Sequence, residues 1–129
     1  MGPKAYAAAV LAAFTIVAGS ASAHHSVAGQ FDNSKRAKIT GTISKIDWIN
    51  PHTYIYLDVK DGQGNVTTWR LESLPTAMLR KAGLTSEMLI NGGATVTADA
   101  LMARDGSAHL AWLLKLTYED GHFYQLAGE

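Results

Sequence analysis

One helical segment stands between the third and fourth of five strand-like runs, and this order most narrows what the chain can fold into. Residues 37–43 alternate, with Ile39 and Ile43 on one face, whereas Ile46 and Trp48 fall on the other parity. A phase slip inside one long run predicts a β-bulge near Ser44-Lys45, and Gly41 offers a point where the strand can bend. Asn50-Pro51 breaks the run. Residues 53–60 (TYIYLDVK) and 66–72 (VTTWRLE) read as the second and third strands, joined by a turn at Asp61–Asn65. Pro75 suits a first helical turn, the residues from Ala77 to Ala82 are good helix formers, and Gly83 is a C-terminal stop. Thr85-Ser86-Glu87 offers a further short turn. Residues 94–103 and 108–118 complete the strands, the last with Leu110, Trp112, Leu114 and Leu116 on one parity, and a short tail follows at 122–126. The expected fold is mainly β: a small OB-fold-like five-stranded barrel with one short helix between strands three and four. A β-sandwich is the alternative.

The N-terminus reads as a secretory leader. Lys4 supplies the positive region, residues 7–18 form an uncharged apolar stretch, and Ser20-Ala21-Ser22-Ala23 offers small residues for cleavage. An uncleaved anchor is the competing reading, but the apolar stretch is shorter than the ~20 residues a membrane span usually needs. The expected organisation is a signal peptide at 1–23, an extended arm at 24–35 and a single domain at 36–129. Export to the periplasm follows, with no stable membrane span after cleavage. The mature chain has no cysteine, so neither a disulfide nor a thiolate enters its chemistry. Eleven basic and eleven acidic residues balance, and they are dispersed, which argues against a nucleic-acid partner. The short basic clusters Lys35-Arg36-Lys38 and Arg80-Lys81 read as solvated surface.

Cleavage after Ala23 would make His24 the first residue, with His25 beside it. An α-amino group and two imidazoles then lie within two residues, a donor set that suits copper, nickel or zinc. Cleavage after Ala21 or Ser22 places a histidine third, which also holds Cu(II) or Ni(II) in a square plane through amine, amides and ring. His52 lies in the connection between the first two strands, one of the loops that shape the binding face of an OB-fold. Pro51 stiffens that loop, so His52 is the candidate third nitrogen. Glu72 or Asp32 could orient an imidazole as a carboxylate partner. His109 and His122 lack ligand spacing. Tyr54, Tyr56, Arg70 and Glu72 fall on one expected outer face, able to meet a small ligand or partner or simply to pair across strands. Trp69, Leu71 and Trp112 are expected in the core. No catalytic motif is present: there is no G-x-S-x-G, no H-E-x-x-H and no phosphate-binding glycine loop.

With those residues in hand, the chain resembles a family of small exported bacterial proteins catalogued as a domain of unknown function. The resemblance rests on Ala23-His24-His25-Ser26, Phe31-Asp32, Thr40-Gly41-Thr42, Trp48-Ile49-Asn50-Pro51-His52, Trp69-Arg70-Leu71-Glu72 and Arg104-Asp105-Gly106-Ser107. Val27 departs from the pattern, where family members usually carry Phe. The resemblance implies an exported β-barrel-like domain in which His24, His25 and His52 are family features, and it brings no established activity.

Two functional readings follow. In the first, the chain is a periplasmic binding protein that takes copper or a similar metal through His24, His25 and His52. In the second, it is a metal-free OB-fold module that binds a peptide, an envelope component or a protein partner. An enzyme is the least favoured reading, because a nitrogen donor set alone is not a reaction.

Overall fold

At the centre of the sheet lies β1 (Phe31–Asp47), which is long enough to serve two neighbours. The computed structural model describes residues 27–127. The N-terminal part of β1 pairs antiparallel with β4 (Thr95–Ala103), from Phe31↔Ala103 to Thr42↔Thr95. Its C-terminal part pairs antiparallel with β2 (Tyr54–Lys60), from Thr42↔Asp58 to Asp47↔Tyr54. The change of partner requires the strand to turn sharply, and the register shift falls between Ile43 and Lys45, where the phase slip places it. Gly41 makes the turn possible. A Cβ there would collide with the carbonyl oxygen of Asp58 on β2, so only glycine allows the two backbones to approach this closely.

β2 continues antiparallel into β3 (Val66–Glu72), and β4 into β5 (Leu110–Tyr118). β3 and β5 then run parallel, with Arg70↔Leu110, Leu71↔Ala111 and Glu72↔Trp112 in register. This parallel seam closes the sheet into the five-stranded mixed barrel of the OB type, and the sandwich alternative is not what forms. A three-residue strand, β6 (Phe123–Gln125), extends the sheet beyond β5 from the expected tail. The stretch read as an extended arm needs correcting: residues 27–30 are helical, and residues 31–35 belong to β1.

Between β3 and β4 the chain forms two short helices rather than one, α1 (Thr76–Lys81) and α2 (Ser86–Ile90), followed by a 3-10 turn at Asn91–Gly93. Thr85 caps α2, its hydroxyl accepting from the Met88 amide at 3.2 Å. Leu79, Leu84 and Leu89 from this segment close one end of the barrel interior, against Ile39, Ile55, Leu57, Leu71, Leu113 and Leu116. The buried Tyr118 hydroxyl donates to the Leu89 carbonyl and ties α2 to β5.

The expectation for β5 needs correcting. Leu110, Trp112, Leu114 and Leu116 do not share a face, because the β4–β5 register shifts between Asp99 and Ala100. Asp99 sits opposite Lys115 but Ala100 sits opposite Leu113, which leaves Leu114 without a β4 partner and reverses the parity. Ala111, Leu113, Leu116 and Tyr118 therefore enter the interior. Trp112 and Leu114 are buried in a second cluster with Phe31, Leu101 and Ala103, against which Val27 packs.

Gly41→Ala should destabilise the barrel by the upper end of the ~1–3 kcal/mol typical of overpacking, read as a lowered urea midpoint. Tyr118 gives a pH test. Burial pushes its phenol well above the ordinary value, and Tyr124 adds to the shift. A raised folded pKa contributes stability that is complete below the ordinary tyrosine range near ~10 and is lost as pH climbs through and above it. Absorbance titration should show one tyrosine ionising only together with alkaline unfolding, and Tyr118→Phe should remove that late step.

Candidate functional site

The connection from β1 to β2 folds back on the end of β3. The Asn50 side-chain oxygen accepts from the Thr76 amide at 3.2 Å and from the Thr76 hydroxyl at 3.0 Å, which anchors the loop to the start of α1. The Thr53 amide donates to the Leu74 carbonyl at 3.1 Å, and the Ser73 amide donates to the Thr53 carbonyl at 2.8 Å. The Asn50-Pro51 peptide is cis. The Thr53 and Ser73 hydroxyls are buried with no hydrogen-bond partner among the described residues.

His52 is held by this arrangement. Its Nδ1 lies 2.5 Å from Glu72 Oε1, and both side chains are largely withdrawn from solvent, 15% and 8% exposed. Its ring packs edge-on to Trp112 with centroids 5.5 Å apart. Glu72 and Trp112 are neighbours because they are in register across the parallel seam. A carboxylate on Nδ1 fixes the ring orientation and leaves Nε2 as the nitrogen free to take a metal or ligand.

Glu72 therefore departs from its expected place. It is not part of an open face with Tyr54, Tyr56 and Arg70 but is buried under the His52 loop. Asp32, the other candidate carboxylate, sits elsewhere: it accepts from the Ser34 amide at 2.9 Å and from the Ser34 hydroxyl at 2.7 Å. Those bonds, led by the hydroxyl, hold its carboxyl below the ordinary range.

The outer face of β2 and β3 is internally paired. The Arg70 guanidinium covers the Tyr54 ring at 4.8 Å, and the Lys45 ammonium covers the Tyr56 ring at 4.9 Å. The Tyr56 hydroxyl donates to Asp47 at 2.9 Å, and Lys45 bridges the same carboxylate at 2.8 Å. The Lys45 ammonium, then the Tyr56 hydroxyl, hold the Asp47 carboxyl below its ordinary range. Burial, then the bond to Asp47, pushes the Tyr56 phenol up. Cross-strand pairing accounts for these contacts.

His24 and His25 lie outside the described residues, as does the stretch 1–23 read as a signal peptide. What the structure does show is the root of the chain that carries them. Arg104 grips it: its amide donates to the Gln30 carbonyl at 2.7 Å, and Nη2 donates to the Ala28 and Phe31 carbonyls at 3.1 and 3.2 Å. Phe31 packs on Trp112 with centroids 5.9 Å apart. Trp112 thus touches both the arm and His52. Neither Trp112 nor Arg104 was singled out as a site residue from sequence; the Arg104-Asp105-Gly106-Ser107 run was the available signal, though it reads locally as a turn. Among the described residues no group of three or more His, Asp and Glu side chains converges on one point.

The other two histidines lie apart from His52. His109 sits at positive φ (57°), edge-on to Trp69 at 5.2 Å, and its carbonyl accepts from the Arg70 amide at 2.8 Å. His122 stacks on Tyr118 at 4.2 Å and bonds to Asp120 through Nδ1.

The fold and this geometry define an OB-type barrel carrying a carboxylate-held histidine beside an anchored N-terminal arm. The chain belongs to a family of unknown function (DUF6152), whose model matches residues 12–111. That span includes His24, His25, His52, Glu72 and Arg104. No curated protein and no solved structure matches the chain.

A double-mutant cycle on His52→Ala and Glu72→Ala should return a coupling of about 0.5–3 kcal/mol, the range for residues in direct contact, by urea denaturation. Additive effects would mean that the pair does not act as a unit.

Proposed function

We propose that the chain is an exported periplasmic binding protein that holds copper or a similar metal at its mature N-terminus. The ligands are the α-amino group and imidazole of His24, with His25 beside them, and His52 Nε2 as the ligand from the barrel. The observation that carries this reading is the contact series Phe31–Trp112–His52, which brings the arm root and a carboxylate-held imidazole to one buried cluster outside the barrel interior. Val27 packs on that cluster. His24 is three residues before it, within ~10 Å of chain at about 3.3–3.6 Å per residue. A carboxylate on the far nitrogen is the usual support of a metal-binding imidazole, and its loss typically costs 10–100-fold in affinity.

The N-terminal sequence supports export, since residues 1–23 have the three parts of a signal peptide.

The test needs protein processed by its own signal, since an initiator methionine or an N-terminal tag would occupy the amine. Copper affinity measured by chelator competition should fall at least tenfold in His24→Ala and in Glu72→Gln, and stay unchanged in His122→Ala. Equal affinity in all three would overturn the assignment. If processed protein binds no metal, the metal-free module remains, and the half-buried face around Tyr54 and Tyr56 is where partner capture should be sought.

A further inference from the structure

A second site, separate from the histidines, lies on the outer face where four strands cross. Lys38 of β1, Asp99 of β4, Lys115 of β5 and Gln125 of β6 stand in successive register across the sheet. Arg36 lies two residues from Lys38 on the same face, and Leu114 forms part of the floor. These six residues line a groove of about 170 Å³. The Arg36-Lys38 cluster read as solvated surface in the sequence; the fold adds Lys115, distant in the chain.

The charges in the groove do not balance. Lys38 is paired with Asp99 at 3.1 Å. Arg36 and Lys115 form no salt bridge among the described residues, and the Lys115 ammonium lies over the Phe123 ring at 4.3 Å. Three cations against one carboxylate leave an excess of two positive charges on the residues that line this small concavity, with the Lys115 ammonium resting over Phe123 at its rim. A monocarboxylate would leave one of them uncompensated. A phosphate group carries close to two negative charges near neutral pH and presents oxygens that suit both an arginine fork and a lysine ammonium.

We propose that this groove binds a phosphate-class oxyanion, held by Arg36 and Lys115 with Lys38 at its edge. The same chemistry is offered by inorganic phosphate, by a soluble phosphomonoester and by a phosphomonoester lipid headgroup. Asp99 opposes binding, and it keeps Lys38 in place. The site does not depend on the metal reading, since it uses none of the same residues.

The experiment is a titration of the isotopically labelled, processed chain with inorganic phosphate at about 20 mM salt, where surface charges are least screened. In parallel, sedimentation is measured with phosphatidylcholine vesicles with and without phosphatidic acid. Saturable shifts confined to the amides around Arg36, Lys38, Lys115 and Gln125 are expected. Lys115→Gln and Arg36→Gln should each weaken binding up to about fivefold, as for an exposed ion pair, and Asp99→Asn should tighten it. Sedimentation only with phosphatidic acid, lost in the Lys115 variant, would assign the headgroup as the source. Phosphate shifts without sedimentation would assign a soluble ligand. The proposal is overturned by shifts that are non-saturating or spread over all lysines with no vesicle binding, or by an Asp99→Asn variant that binds more weakly.

Discussion

The parallel seam between β3 and β5 is the constraint on which the rest of the structure depends. It joins strands that no hairpin connects, so it forms only when the barrel has closed. The same three residue pairs that close the barrel set Glu72 beside Trp112. From that adjacency the second buried cluster follows. Trp112 supplies a wall for His52 on one side and for Phe31 on the other, while Glu72 takes His52 Nδ1. A slipped seam would leave the barrel open and would separate the carboxylate from the ring it holds.

A buried imidazole–carboxylate pair is weak evidence of a stabilising device, because desolvation offsets much of the attraction and an apolar pair of similar volume does as well or better. The chain nevertheless keeps two polar side chains at the most protected end of the seam, with a loop anchored over them through Asn50 and Thr76. Orientation of His52 is what this arrangement supplies. Arg104 adds the complementary element, fixing the arm backbone at the carbonyls of Ala28, Gln30 and Phe31.

Much of the fold was legible because local signals and tertiary demands agreed. The parity slip at Ser44 is the bulge at which β1 changes partner, and Gly41 is the residue whose missing Cβ lets β1 and β2 touch. Pro75 and Gly83 bracket α1. β5 was not legible, because its run of apolar residues leaves both parities hydrophobic, and nothing local says which leucine is bulged out. Glu72 was misplaced for a related reason. Alternation puts it with Arg70 on an outer face, and only the fold-back of residues 50–53 and the seam to β5 cover it. His52 was recognisable from its stiff loop, but its partner is twenty residues away along the chain. The same long-range pairing brings Lys115 to Arg36 and Lys38.

The account stands on the arm and the barrel histidine meeting at one metal. The most direct measurement is paramagnetic broadening of amide resonances on adding substoichiometric Cu(II) to isotopically labelled, signal-processed protein. The account predicts early and simultaneous loss of signals from His52, Trp112 and residues 27–31, while β6 and the His122 turn stay sharp. Broadening confined to the first residues of the chain, with His52 and Trp112 unaffected, would show that the terminus binds metal alone and would contradict it.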